Sequence, residues 1–212
     1  MARRLSAASL QRRLGEALLG QSGHDERRDY LGMSGIGDCS RELYFRYTEG
    51  QEADGRLHWY SWMGYTIEAA IIDLTERTKR DIEVVAGFDE RFRGHVDLAL
   101  SQRDLVEIKS VTWSKFSRIT LAQQAEPRHQ AQVQMYLRHG GWERCLVIYT
   151  PRDVDYKEYY EVVARLSVPL PFFVVEVRPD TALADSLDAK ARAILAAIDQ
   201  GQPPQCDCGW CD

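Results

Sequence analysis

The spacing of apolar and polar positions divides the chain into a helical first part, a run of strands and a mixed second part. Leu10, Leu14 and Leu18 recur at helical spacing and predict an amphipathic opening helix to about Gly20. Ser34 stands where it would cap a second helix, GIGDCSRELYFRYT, with Ile36, Cys39, Leu43 and Tyr47 on one stripe. After the turn QEADG a longer helix is expected from about Leu57 to Thr78, burying Met63, Ile67, Ala70, Ile71 and Leu74. The period then changes to two. IEVVAGF, RGHVDLAL and LVEIKSV read as three consecutive strands, the last two joined by a hairpin turn at SQRD. A helix from Pro127 to His139 is started by its proline and stopped by Gly140 and Gly141. CLVIYT reads as a buried strand, DYKEYYEVV as an edge strand, and Thr181 to Ile198 as a last helix. This order predicts a mixed α/β (α+β) fold, a central sheet flanked by helices.

Composition narrows the class. A chain of 212 residues, 44% hydrophobic and 28% charged, fits one globular domain. No window approaches the ~18 consecutive apolar residues of a membrane helix, so no membrane partner is expected. A net charge of −5 argues against a general nucleic-acid coat protein and leaves room for a local basic groove. Five cysteines, an odd number, with no secretory signal point to thiols in a reducing compartment, and hence to a cytoplasmic protein. The Arg- and Ser-bearing N-terminus leaves a mitochondrial transit peptide, and the mitochondrial matrix, as the alternative to a packed first helix.

The sharpest local chemistry is Asp97, mid-strand in GHVDLAL, followed by Glu107-Ile108-Lys109 in the next strand. Glu107 and Lys109 share one face there, and Val106 and Ile108 the other. If the strands pair through SQRD, Asp97 and Glu107 converge as an oxygen site for Mg²⁺ or Mn²⁺. Such a metal activates water and stabilises charge on a phosphate, with Lys109 placed to assist. The plainer reading is a solvent-facing charge pair. The thiols carry a second signal. Cys39 is remote, while Cys206, Cys208 and Cys211 crowd the C-terminus as C-x-C-x-x-C. Four soft thiolates suit a tetrahedral site for an iron–sulfur cluster or zinc. Cys145 opens an apolar strand and reads as a core thiol.

These residues resemble a known family. G-x-x-D followed by E-x-K on adjacent strands resembles the core of the PD-(D/E)xK nucleases, and more closely their RecB-like exonuclease branch. That branch has G-x-x-x-(H/E) on a preceding helix, matched by Gly64 to Glu68. CRISPR-associated members place His last; Glu68 follows the lambda-exonuclease-like members. Q-x-x-x-Y is matched by Gln132 and Tyr136, one helical turn apart. Members with a cluster have C-x-R-x-x-(Y/F) early, as in Cys39 to Tyr44, and three late cysteines after a Gly/Pro-rich turn, as after Gly201-Gln202-Pro203-Pro204.

The resemblance implies a Mg²⁺- or Mn²⁺-dependent DNA exonuclease, bacterial, archaeal or phage-encoded, acting on single-stranded ends. Recombination, repair, phage replication or CRISPR adaptation, with proteins of those pathways as partners, would be its setting. Glu68, Asp97, Glu107 and the backbone carbonyl of Ile108 would hold the metal, Lys109 would assist attack, and Gln132 and Tyr136 would position the strand. Cys39, Cys206, Cys208 and Cys211 would hold a [4Fe–4S] cluster, with zinc the lesser alternative. The implied layout is a single domain over 1–212, with a helical part to about 80 and a nuclease core over about 57–178. The tail, 201–212, would be joined to the helical part through the cluster. Lys115, Arg118 and Arg128 form a candidate phosphate-tracking stripe or solvated loop charges, and Arg41 a candidate DNA contact near the cluster. His95 shares the strand face of Asp97. His58, Trp59, Tyr60 and Trp62 are base-stacking or core aromatics. The rival readings are a non-catalytic DNA-end-binding iron–sulfur subunit of a recombination complex, a zinc-stapled protein whose acidic residues are a surface feature, and an endonuclease with the same core.

Overall fold

The structure, a computed structural model, describes residues 29–50, 55–73, 79–166 and 172–208. The expected opening helix and Cys211 lie outside these residues. One mixed sheet contains β1 (Leu31–Gly32), β2 (Lys79–Val85), β3 (Phe92–Ala99), β4 (Asp104–Val111), β5 (Arg144–Pro151) and β6 (Phe173–Val177). The helices are α1 (Ser40–Thr48), α2 (Gly55–Asp73), α3 (Trp113–Ala122), α4 (Pro127–Gly140), α5 (Tyr156–Leu166) and α6 (Thr181–Gln200).

β2 runs antiparallel to β3 from Lys79↔Ala99 to Val85↔Arg93. On the opposite edge of β3, β4 pairs only through Leu98↔Val106 and Ala99↔Leu105. The SQRD hairpin forms as expected, with the Leu100 amide donating to Asp104 O at 3.0 Å. β1 lies parallel to the start of β3, as Leu31↔Phe92 and Gly32↔Arg93. Because Arg93 pairs with β2 on one side, β1 must occupy the edge that β4 takes at the other end. Between them, residues 94–97 of β3 face a notch with no strand partner among the described residues. β4 and β5 then pair in parallel, and β5 and β6 antiparallel.

The larger core lies between one sheet face and α4, α6 and the Met33–Gly35 turn, with Phe92, Val133, Met135, Val147, Ala191 and Ile194 wholly buried. On the smaller core Ile72 of α2 packs with Leu98, Val106 and Ile108. α4 is buried continuously from Ala131 to Leu137, begins on Pro127 and ends on Gly141, whose φ of 77° favours glycine.

Several elements differ from the sequence expectation. α1 starts at Ser40, and Ser34 sits in a separate 3₁₀ turn, Met33–Gly35. The intervening loop is pressed on α4: a Cβ on Gly37 would lie 3.0 Å from Arg128 Cα, leaving no room for an earlier helical turn. On α2 the buried residue among the described side chains is Ile72, with Ile71 packed beside it; Ala70 is exposed, and residues 74–78 lie outside the described set. DYKEYYEVV is the helix α5 rather than an edge strand. Its start is a reciprocal cap: Glu158 N donates to Asp155 Oδ1 at 2.8 Å and Asp155 N to Glu158 Oε2 at 3.2 Å. Local capping outweighs the β preference of its tyrosines and valines. Three elements of the sheet and its helices carried no expectation: β1, α3, and β6, which closes the sheet beyond β5.

Candidate active site

The site begins where β3 and β4 part. Past Leu98↔Val106 the ladder stops, and the Asp97 carboxylate takes over as partner, accepting from the Ile108 amide at 2.6 Å. In a strand, N–H and C=O of one residue point to the same edge, so the Ile108 carbonyl is also directed toward the notch. One residue earlier, Glu107 is 1% exposed. Its Oε1 accepts from Lys109 Nζ at 2.6 Å and from Gln132 Nε2 at 2.8 Å. The same amide nitrogen reaches Tyr136 OH at 2.8 Å, and that phenol donates to His95 O at 2.7 Å. Tyr136 therefore satisfies a β3 carbonyl on the stretch that β4 has left. Gly94 makes this possible, since a Cβ there would lie 2.8 Å from Tyr136 Cε1 and 3.0 Å from Met33 Cβ.

The notch opens into a cleft of about 460 Å³, lined among others by Glu68, Asp97, Glu107, Lys109, Gln132 and Tyr136. The six side chains expected to form the catalytic set thus line one cleft. Burial drives the Glu107 carboxyl up to about 7; Lys109 opposes the rise, and the charges of Asp97 and Glu68 add to it. Burial also works against the Lys109 ammonium, but Glu107, Asp97 and Glu68 outweigh it and keep Lys109 above its ordinary value. Glu107 Oε2 is buried with no hydrogen-bond partner among the described residues. A buried, unpaired carboxylate oxygen beside two further carboxylates and a backbone carbonyl is a hard-oxygen donor set that a small divalent cation would satisfy.

The basic residues singled out in the sequence stand elsewhere. Lys115 and Arg118 pair with Glu126 at 3.5 and 3.2 Å, Arg128 pairs with Asp38 at 3.0 Å, and Arg41 lies over the Phe45 ring at 5.6 Å. None of these four lines the cleft. His95 does line it, and its side chain is 45% exposed. Of the aromatic group, Tyr60 and Trp62 are exposed; the side chains of His58 and Trp59 lie outside the described set.

Besides Lys109, Arg93 also lines the cleft, and sequence reading missed it. It is bonded to Asp29 at 3.0 Å, 3.5 Å from Glu83, and stacked 4.7 Å over the Tyr30 ring. Its signal was its position, four residues before Asp97 on one strand.

A second set of donors lies apart from these. Cys39, Cys206 and Cys208 place their sulfurs within 4.8 Å of one another. Cys39 to Cys206 is 3.8 Å and Cys206 to Cys208 is 3.3 Å. Cys145 is wholly buried in the core, as expected, and burial raises its thiol pKa.

No protein-family model matches the chain, and no curated protein matches its sequence. Solved structures do. An alkaline exonuclease from Laribacter hongkongensis superposes with a TM-score of 0.60 at 15% identity, over 88% of this chain and 93% of that one. The protein SSO0001 gives 0.60 at 14% identity, over 87% and 86%. A phage-related exonuclease from Haemophilus somnus 129PT gives 0.52 at 17%, over 76% and 79%. At such identities the likeness is one of architecture. The chain has the fold of these alkaline and phage-related exonucleases, a mixed central sheet flanked by helices.

Proposed function

We propose that the chain is a divalent-metal-dependent DNA exonuclease that hydrolyses phosphodiester bonds at strand ends. The observation that carries this is Glu107, buried with one oxygen unpaired, at the point where β3 and β4 separate beside Asp97 and Lys109. Residue assignments are part of the proposal. Glu68, Asp97, Glu107 and the Ile108 carbonyl would hold Mg²⁺ or Mn²⁺, which would supply Lewis-acid stabilisation of the phosphate and a more acidic water. Lys109, held protonated by the surrounding carboxylates, offers its ammonium to the attacking water or to the charge developing on the phosphate. Gln132 and Tyr136 act mainly as positioning residues: Gln132 aims Glu107, and Tyr136 fixes β3 behind it. Arg93 adds a cation for a neighbouring phosphate. The Laribacter exonuclease has also been crystallised with dAMP, which supports a nucleotide as the class of ligand.

Cys39, Cys206, Cys208 and Cys211 are read as ligands of a [4Fe–4S] cluster with a structural role. Protein purified anaerobically is expected to be brown, absorbing near ~400 nm. A colourless zinc protein would replace the cluster with zinc.

The deciding experiment digests end-labelled DNA, single- and double-stranded, open and end-blocked, with Mg²⁺ or Mn²⁺. Wild type should degrade open ends and spare blocked ones, and Glu107→Ala and Lys109→Ala should abolish this while the fold persists. Cutting of blocked substrates would make the chain an endonuclease. DNA binding by all three proteins with no cleavage in either metal would overturn the enzymatic reading in favour of an end-binding subunit.

A further inference from the structure

Cys39 is the residue before the first turn of α1; its side chain makes no capping hydrogen bond and its sulfur faces Cys206 and Cys208. A residue from the far end of the chain supplies the missing cap. Asp207 Oδ1 accepts from Ser40 N at 2.9 Å, and Oδ2 from Ser40 Oγ at 2.6 Å. Lys190, on α6, stands 3.2 Å from the same Oδ2 and donates to Asp38 O at 2.5 Å. One carboxylate thus joins α1, α6 and the tail, and it lies between two of the clustered cysteines in sequence.

We propose that Asp207 is a positioning residue that docks the tail on α1, bringing Cys206 and Cys208 to Cys39 through the protein's own contacts. The Cys39 sulfur is turned to the other thiols and makes no capping hydrogen bond, so the cap falls to the residue between two of them. The carboxylate meets the positive end of α1 and the Lys190 ammonium together. The tail is thereby held by hydrogen bonds and charge as well as by any bound metal. The proposal needs the thiol geometry alone; it is independent of the nuclease reading and of which metal the cysteines hold.

The test uses the full-length chain with two readouts, neither of them activity. Metal content per chain, and the rate of metal loss to a chelator, are measured on protein as isolated. The reduced, metal-stripped chain is then treated with dibromobimane, which bridges neighbouring thiols, and the Cys39–Cys206 cross-linked peptide is quantified by mass spectrometry. Asp207→Ala should lower cross-linking about fivefold, the loss expected from one helix cap, and speed metal release, with the wild-type melting temperature retained. Asp207→Asn keeps an acceptor for Ser40 N but no charge for Lys190, and should fall between. Wild-type cross-linking and metal retention in Asp207→Ala would overturn the proposal, as would losses that only follow a general loss of fold. Should Asp207→Ala fail to fold, Lys190→Met, which removes the ammonium from Asp207 and from Asp38 O, is read the same way. A chain that binds no metal yet shows the Asp207 dependence of cross-linking would reject the metal site and keep the docking.

Discussion

Glu107, which is buried, and His129, which is half-buried, are shifted in opposite senses. Glu107 is raised to about 7 from 4.5, so between those values the folded chain keeps a proton that the unfolded chain has released. Its contribution to stability therefore falls as pH rises through that window. His129 is lowered to about 3, first by burial and then by the charges of Lys109, Arg128 and Lys115. Below pH 6.5 the unfolded chain takes up a proton that folded His129 refuses, so stability is lost as pH falls toward 3. The two slopes oppose each other and hide one another in wild type. The difference between Glu107→Gln and wild type exposes the first: in metal-free protein the variant should gain relative stability from pH 4.5 to 7, by up to about 3 kcal/mol. Urea melts at the two ends of that window measure it, and a flat difference would refute the burial argument. Two motif glycines should also behave differently. Gly94→Ala must push into Tyr136 and Met33, costing roughly 1–3 kcal/mol. Gly64→Ala meets only Ser110 Oγ, at an ordinary 3.7 Å, and should stabilise α2 by up to about 1 kcal/mol. As letters in a motif the two are alike; only the neighbours tell them apart.

Among the elements, legibility followed locality. β3, β4 and α4 were readable because period-two alternation, a four-residue hairpin, a starting proline and a stopping glycine all lie within the segments themselves. Asp97, Glu107 and Lys109 lie on one hairpin, so their meeting was also foreseeable. Gln132 and Tyr136 could be paired on one helix face, but their reach to Glu107 and His95 depends on how α4 crosses the sheet. Where an element's boundary depends on distant residues, the sequence was silent. The first amide of α3, Trp113 N, is capped by Asp153 at 2.5 Å, and the first of α1 by Asp207. α5 is the exception, because its Asp155/Glu158 cap was local and was outweighed in the reading by a Tyr- and Val-rich composition. Asp155→Ala is expected to cost about 1 kcal/mol and to lower helical circular dichroism. An unchanged spectrum and midpoint would mean that tertiary packing alone holds α5.

In the whole molecule, distant pairings set what the sheet cannot. Asp207 reaches α1 and α6, while Arg91 bridges to Asp199 at 2.6 Å, fastening the β2–β3 connection to α6. Removal of residues 201–212 should leave the β4–β5 ladder intact while exposing the start of α1. Hydrogen exchange would show faster amides at Ser40 to Leu43 and unchanged ones in β4 and β5. Acceleration throughout would mean that the tail supports the entire fold. The notch in β3 has another consequence. Its span is four peptide units, roughly 13 Å at ~3.3 Å each, and both of its walls hang from the same strand. Substitutions can re-line this opening but cannot resize it. Only insertion or deletion can, and a single-residue change would turn alternate side chains of β3 to the opposite face. The smallest tolerable step is two residues, or about 7 Å. The gauge of the opening is therefore quantised: gradual change can alter what lines it, but a different width requires a jump.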